Sequence, residues 1–343
     1  MKQQPTVWGL HMGGHVGDRP IEGNYVAIGW RALGDLRAIP ADREAFKSAL
    51  RQHLPDLKEG AVPVNAGTLF RFVHEMSAGD VVVYPSKHDR MINIGRFTGD
   101  ASYLPDDPDE YPNRRTVEWL GHFPRTEFSQ SALNEIGSAV TIFRVRSHAA
   151  EFLSKLAATG DAPDLATAAE GTEETADDDT ATQAVAQQAE GTTSDFVIRR
   201  IMTGMTGHEF EHFVAHVLEC MGYTTRVTAK SCDGGVDVIA HMDALGFQPP
   251  IVKVQCKRKT EQTPRPEVDQ LLGTLGEGEY GLYVNLGSYA RGAIELERNR
   301  AKLRLIDGEQ FVEMLLENYD KLSPRYRSLI PLKQIYVPDL SKG

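Results

Sequence analysis

One stretch decides how many folded bodies this chain can form. Between Leu156 and Ile198 there is no lysine or arginine, yet there are ten acids: Asp161, Asp164, Glu170, Glu173, Glu174, Asp177, Asp178, Asp179, Glu190 and Asp195. The sequence ATGDAPDLATAAEGTEETADDDTATQAVAQQAEGTTSD (158–195) holds almost no large apolar side chain. Such a segment buries too little apolar surface to offset the entropy of ordering it. Residues 156–195 are therefore expected to be an acidic disordered linker, acting as a solubilising spacer or as a competitor for basic surfaces. The chain is expected to fold as two units, 1–155 and 196–343.

The same stretch changes what the net charge means. A formal charge of −11 over 343 residues argues against a phosphate-binding surface, but those ten acids account for nearly all of it and leave the rest of the chain at −1. Basic runs such as KVQCKRK (253–259) and Arg291 to Arg300 therefore remain available for DNA. No segment reaches the ~20 apolar residues of a membrane span, and MKQQPTVWGLHMGGH lacks the apolar run of a signal peptide, so a cytoplasmic location is expected. Cys220, Cys232 and Cys256 are odd in number and show no CxxC spacing, which argues against both a disulfide framework and a structural zinc.

The C-terminal unit opens on TGHEFEHFVAHVLECMGY. Phe210, Phe213, Val214, Val217, Leu218 and Met221 recur at helical spacing, Thr206 and Glu209 make a capping box, and Gly222 stops the helix. Strand-like VDVIAHM and IVKVQCK follow. Then come helix PRPEVDQLLGTL, strand YGLYVNLG, helix SYARGAIELERNRA capped by Ser288, strand LRLIDG and helix GEQFVEMLLENY. This order predicts an α/β sandwich with a central mixed sheet.

Within it, the stretch DGGVDVIAHMDALGFQPPIVKVQCKRK (233–259) is not plain core. Asp237 follows two glycines at a strand start, with Asp233 as a turn residue before them. Lys253, Gln255 and Lys257 alternate with Val252, Val254 and Cys256, giving one polar and one apolar strand face. Glu211 lies at the edge of the apolar face of the first helix, where a carboxylate is costly unless paired or bound to a metal. A hard divalent ion such as Mg²⁺, or alternatively Mn²⁺, takes oxygen ligands, and Asp237, Glu211, the Gln255 amide oxygen and the Cys256 carbonyl can supply them. Such an ion activates water and stabilises charge on a phosphodiester, while Lys257 offsets developing negative charge. Each residue alone is equally a solvated strand or helix face; the set is not.

Other chemistries lack their residues. His212 and His216 have i,i+4 spacing without the HExxH glutamate, on the polar helix face. No GxxxxGK[ST] occurs, GTLGEG precedes a strand, and no serine–histidine elbow is present.

The runs GHEFEHFVAHVLECMGY, SCDGGVDVIA, VKVQCKRK and LRLIDG together resemble the Mrr-like restriction endonuclease domain of the PD-(D/E)XK nuclease superfamily, over about 205–318. The resemblance implies that Asp237 binds metal, that Glu211 is the helix-borne acid, and that Gln255-Cys256-Lys257 is the QxK form of the lysine motif. Gln255 in place of an acid lowers the site's negative charge.

VWGLHMGG, NYVAIGW, GDVVVYPSK and MINIGRFTGD in the N-terminal unit are short strand-type runs, followed by RRTVEWLGHFPRTEFS and VTIFRV, with helices at DREAFKSALRQHL and GTLFRFVHEM. This pattern predicts an α+β domain built on a small curved sheet or barrel. GDVVVYPSK, IGRFTGDASYL and RRTVEWLGHFPRTEFS are similar to PUA-like and EVE-like barrels, which implies nucleic-acid binding through an accepted modified base. Trp30, Trp119, Tyr84, Tyr103 and Trp8 are candidate pocket walls, because an extruded base must regain its stacking on aromatic rings. Lys87, Arg90, Arg114 and Arg115, with Lys253, Arg258 and Lys259 of the other unit, are candidate phosphate contacts.

These readings converge on a modification-dependent DNA endonuclease using Mg²⁺ and working as a homodimer or larger homo-oligomer, since a double-strand cut needs two sites. An effector nuclease switched by a small nucleotide or phage component, or a protein that binds nucleic acid without cutting, are the alternatives.

Overall fold

The computed structural model describes residues 5–108, 110–137, 140–157, 178–228, 235–243, 246, 248 and 250–334. The chain divides into two compact units, one up to Glu190 and the other from Gly191 onward.

Five helices and six strands build the first unit. The strands are β1 (Val7–Leu10), β2 (Tyr25–Ile28), β3 (Val81–Pro85), β4 (Met91–Tyr103), β5 (Asn113–Pro124) and β6 (Ile142–Arg144). The helices are α1 (Arg19–Glu22), α2 (Arg43–His53), α3 (Val62–Phe70), α4 (Gln130–Ile136) and α5 (Ala149–Ala157). One mixed sheet runs β2-β5-β4-β3-β1-β6, with β1 and β3 parallel and the other pairs antiparallel. The expected barrel is not formed: β2 and β6 end the sheet, and no pairing joins them among the described residues. The physical reason lies in β3, whose five residues are all buried. Val82 and Tyr84 enter one core with residues of α2 and α3, while Val81 and Val83 enter a second with residues of α4 and α5. A sheet with apolar residues on both faces is covered by helices on both sides rather than closed around one interior.

α6 (Asp178–Gly204) runs across the boundary at Glu190 and into the second unit, so the C-terminal part of the expected disordered linker is helical. Alanine, glutamine and glutamate favour helix. Val197, Ile198 and Ile201 anchor its last turns in the core. Residues 158–177 of the expected linker lie outside the described residues. Next come α7 (Gly207–Cys220), β7 (Thr224–Val227), β8 (Val238–His241), β9 (Ile251–Lys257), α8 (Arg265–Leu272), β10 (Glu279–Asn285), α9 (Arg291–Arg298), β11 (Leu303–Ile306), α10 (Gly308–Glu317) and α11 (Pro324–Leu329). The sheet order is β11-β10-β9-β8-β7, parallel from β9 to β11 and antiparallel from β7 to β9. All predicted elements of this unit are present, and β7 is added; its TTRV sequence offers no apolar alternation to announce it.

The capping box forms as read, with the Thr206 hydroxyl accepting from the Glu209 amide and the Glu209 carboxylate accepting from the Thr206 amide. Gly222, at φ +102°, takes the left-handed conformation that ends the helix. Ser288 does not cap α9; Ala290 holds that position without a side-chain bond.

Candidate nuclease site

α7 carries Glu211 to the sheet side, β8 starts just after Asp237, and β9 ends on Gln255, Cys256 and Lys257. Asp237 is fixed by its own backbone: its amide donates to the Val254 carbonyl at 2.8 Å, and its carboxylate Oδ2 accepts from the Cys256 amide at 2.7 Å. The carboxylate thus bridges the mouth of β8 to the end of β9. Burial pushes its pKa above the usual aspartate range, the Cys256 amide pulls it back, Glu211 raises it again and Lys257 lowers it. The same three charges act on Cys256, whose fully buried thiol is pushed well up, first by burial. Glu211, Asp237 and Lys257 therefore share one electrostatic neighbourhood.

Each partner is prepared differently. Glu211 keeps only 16% of its side chain exposed, and its carboxylate lies 2.7 Å from His208 Nδ1, a partner the sequence reading did not name. Lys257 makes no hydrogen bond or ion pair among the described residues. Gln255 is 3% exposed, and its amide oxygen is buried with no hydrogen-bond partner among the described residues. Gly235, at φ +95°, lets this side chain in; a Cβ there would stand 3.0 Å from Gln255 Nε2. Asp233 and Gly234 lie outside the described residues.

The polar strand face is not solvated; alternation separated the two faces of β9 without saying what covers them. Tyr283 of β10 is the register partner of Gln255 and enters a second core with Val268 and Leu271 of α8 and Ala293 of α9. The sheet is covered on both sides, so polar groups on this face must find partners or remain orphaned. Lys253 finds two, Glu279 at 2.7 Å and the Thr274 carbonyl at 2.6 Å. Lys259 pairs with Glu267 at 2.8 Å, and the Tyr283 hydroxyl donates to the same carboxylate at 3.2 Å. Arg258 bonds the Met202 carbonyl. Of the three basic candidates near the site, all are thus tied within the fold. Glu267 and Tyr283 are the neighbours that sequence reading missed; the acid in the first turn of PRPE was the available signal for one, and nothing local signalled the other.

The donor set fits a hard divalent ion. Glu211 and burial both disfavour the charged form of Asp237, and a buried amide oxygen lacks a donor among the described residues; a cation relieves all three. Among the described residues no group of three His, Cys, Asp or Glu side chains gathers as a metal cluster. His216 is no solvated histidine: its Nε2 accepts from the Ser323 amide at 3.0 Å and its ring packs on Tyr326. His212 is exposed.

The N-terminal candidates scatter. Arg115 is wholly buried, with its guanidinium bonded to the carbonyls of Phe72, Val73 and Gly99, so it cannot reach phosphate. Arg114 pairs with Asp107 and lies over the Tyr25 ring. Lys87 is exposed and Arg90 half-buried. Trp8 is core, its Nε1 donating to Asp80, and therefore lines no pocket. Tyr84 is equally buried but stands 6.1 Å from the half-exposed ring of Trp119. Trp30 is half-buried against the core at a left-handed φ of +60°, and Tyr103 sits at the far end of β4. Only Tyr84 and Trp119 of the five form a ring pair among the described residues.

The second unit thus brings Glu211 of α7, Asp237 before β8 and Lys257 at the end of β9 into one charged neighbourhood. Residues 202–315 match the restriction endonuclease family model Mrr_cat, and this part of the chain is a restriction-endonuclease domain of that family. Residues 8–146 match a domain family of unknown function, DUF8426. The chain is similar to the type IV methyl-directed restriction enzyme EcoKMrr of Escherichia coli (strain K12), at 28% identity over 134 residues, 37% of this chain and 43% of that protein; the chain thus spans less than half the length of that relative. Among solved structures, likeness extends to the MspJI restriction endonuclease in complex with a 27-mer oligonucleotide (16% identity, TM-score 0.32, 78% of this chain and 66% of that one). It extends also to the DNA modification-dependent restriction endonuclease AspBHI (15%, TM-score 0.32, 78% and 69%). Among the described residues no helix is long and apolar enough to cross a membrane.

Proposed function

We propose that the chain is a modification-dependent restriction endonuclease, in which residues 196–343 hydrolyse DNA phosphodiesters, residues 1–155 select modified DNA, and residues 156–195 connect them. The observation that carries this reading is the shared neighbourhood of Glu211, Asp237 and Lys257 at the ends of β8 and β9. In the reaction, a water oxygen bonds to phosphorus, one ester P–O bond breaks, and an alcohol leaves with the proton. Glu211, Asp237 and the Gln255 amide oxygen would hold Mg²⁺ or Mn²⁺; when bound, the ion acidifies water and neutralises phosphate charge. Lys257, tied to nothing in the fold, is free to place its ammonium against the phosphate oxygens as charge develops. Asp237 is held in position by the Cys256 amide, which removes the entropy of orienting it at the moment of reaction. DNA is the partner, and two copies are required for a double-strand cut.

The test is to incubate purified full chain and Mg²⁺ with matched plasmids, unmodified, methylated and hydroxymethylated, and to compare nicking with linearisation. Cleavage confined to a modified plasmid and abolished by Asp237→Ala supports the reading. Equal cleavage of all three plasmids removes the sensing half, and no cleavage with either Mg²⁺ or Mn²⁺ removes the catalytic half.

A further inference from the structure

The sheet face that presents Tyr84 and Trp119 also presents a histidine. Tyr84, Asn93 and His122 are register partners across β3, β4 and β5, so their side chains share one face. Trp119 stands three residues before His122, a spacing that in a regular strand sends two side chains to opposite faces. A register shift prevents this: Ile94 faces Gly121 and Gly95 faces Trp119, leaving Leu120 as the extra residue. Leu120 turns to the opposite core, and the Trp119 and His122 rings come within 6.4 Å. Gly95 is part of the arrangement, because a Cβ there would meet the Trp119 ring at 2.9 Å and Val117 at 2.4 Å.

Beneath the histidine lies a buried amide. Asn93, 1% exposed, donates through Nδ2 to the Tyr84 carbonyl at 3.2 Å and the Met91 carbonyl at 3.5 Å. Carbonyls only accept, so the amide oxygen must be the atom that lies 2.6 Å from His122 Nδ1. That oxygen carries no proton, so Nδ1 must donate. The ring is thereby fixed in one tautomer, with Nε2 left as a lone-pair acceptor that has no partner among the described residues. His122 itself is exposed, while burial of part of its ring holds its pKa below the usual histidine range and keeps it neutral; Asp89 acts weakly in the opposite sense. A bulge, an obligatory glycine and a buried asparagine thus combine to hold one acceptor beside one indole.

We propose that His122 Nε2 is the acceptor through which the N-terminal domain reads a DNA base stacked on Trp119, and that the group it reads is a hydrogen-bond donor on that base. The exocyclic amine of a cytosine and the hydroxyl of a hydroxymethyl substituent both answer to that description. The inference rests on the sensing role proposed above and names its specificity-determining residues, His122 as the reader and Asn93 as the group that positions it.

The test uses full-length protein in EDTA, so that nothing is cut, and fluorescence anisotropy with duplexes carrying one cytosine, 5-methylcytosine or 5-hydroxymethylcytosine. Wild type is expected to prefer a modified duplex. His122→Phe, which keeps the ring but removes the acceptor, is expected to lose roughly ten- to hundredfold of that affinity while binding unmodified DNA as before. Because all three bases carry the amine, loss on both modified duplexes but not on the unmodified one assigns the amine of a base that only its 5-substituent brings onto Trp119; loss on the hydroxymethyl duplex alone assigns the hydroxyl. Asn93→Asp should mimic the loss, because a carboxylate stabilises the imidazolium and turns Nε2 into a donor, and His122→Gln should restore part of the binding. Unchanged selectivity in His122→Phe, or an equal loss on unmodified DNA, overturns the inference and leaves the sensing role standing. A wild type indifferent to modification removes the sensing role and the inference together. Since His122 is exposed, unaltered melting of His122→Phe keeps the result readable if Asn93→Asp does not fold.

Discussion

Arg115 in the N-terminal unit and Gln255 in the C-terminal unit are both polar, both nearly inaccessible, and opposite in what surrounds them. Arg115 gives its donors to three backbone carbonyls and packs between the Phe72 and Phe97 rings. Gln255, beside Asp237, keeps a buried oxygen with nothing to accept from. A buried polar group whose partners are all present is holding a fold together; one left short of a partner, next to a desolvated carboxylate, is waiting for a ligand. The contrast separates two residues that the sequence offered as candidates, Arg115 for phosphate and Gln255 for a metal.

The largest effect is expected from the satisfied one. Arg115→Ala should destabilise the N-terminal unit by about 3–5 kcal/mol, since it strips a buried charge network and orphans three carbonyls. All three tryptophans, Trp8, Trp30 and Trp119, lie in that unit, so denaturant melts followed by tryptophan fluorescence report on it alone. A change below about 1 kcal/mol would erase the distinction. Next, Lys257→Ala should cut single-turnover cleavage by about 10²–10³ with melting unaltered, as removal of one group aimed at developing charge typically does.

Asp237→Asn should abolish cleavage yet melt higher than wild type. Burial raises the folded pKa of Asp237, so its contribution to stability is full below the unfolded aspartate pKa and is lost as pH rises through the folded one. The gain from Asp237→Asn should therefore be present at neutral pH and vanish in acid; for a unit of this size each kcal/mol reads as about 4–8 °C to 2–4 °C in Tm. Added Mg²⁺ should raise the wild-type Tm and leave that of the variant unmoved. Gln255→Met should raise stability by about 1 kcal/mol while slowing cleavage, because an orphaned oxygen is replaced by an apolar group of similar length. The smallest effect belongs to Lys253→Met: its ion pair with Glu279 is worth about 0.2–1 kcal/mol, and DNA affinity should hold within about twofold. A large loss of binding would return Lys253 to the DNA surface.

Lys253 and Lys257 show where sequence reading stops. Both stand on β9, four residues apart on one face, and alternation gives them equal standing. Only the positions of Glu279 and Thr274, more than twenty residues downstream, tie one lysine and leave the other. The capping box at Thr206 was legible because both halves lie within one turn. β7 was not, because TTRV becomes a strand through pairing with β8 rather than through its own pattern. The cover over the polar face of β9 was illegible for the same reason: alternation says that two faces differ, not that α8 and α9 cover the polar one. His122 was missed because its meaning depends on a bulge and on Asn93, neither of which has a local signature.

By itself the sequence determined the order of elements in the second unit and singled out Glu211, Asp237, Gln255 and Lys257 as candidates, since periodicity, caps and motif spacing are properties of neighbours along the chain. Tertiary structure alone decided that the first unit is an open sheet with two covered faces, which cations are spent inside the fold, and which buried oxygen lacks a donor. Those are facts about partners brought together from distant positions, and a polar group's cost and use depend on what stands opposite it.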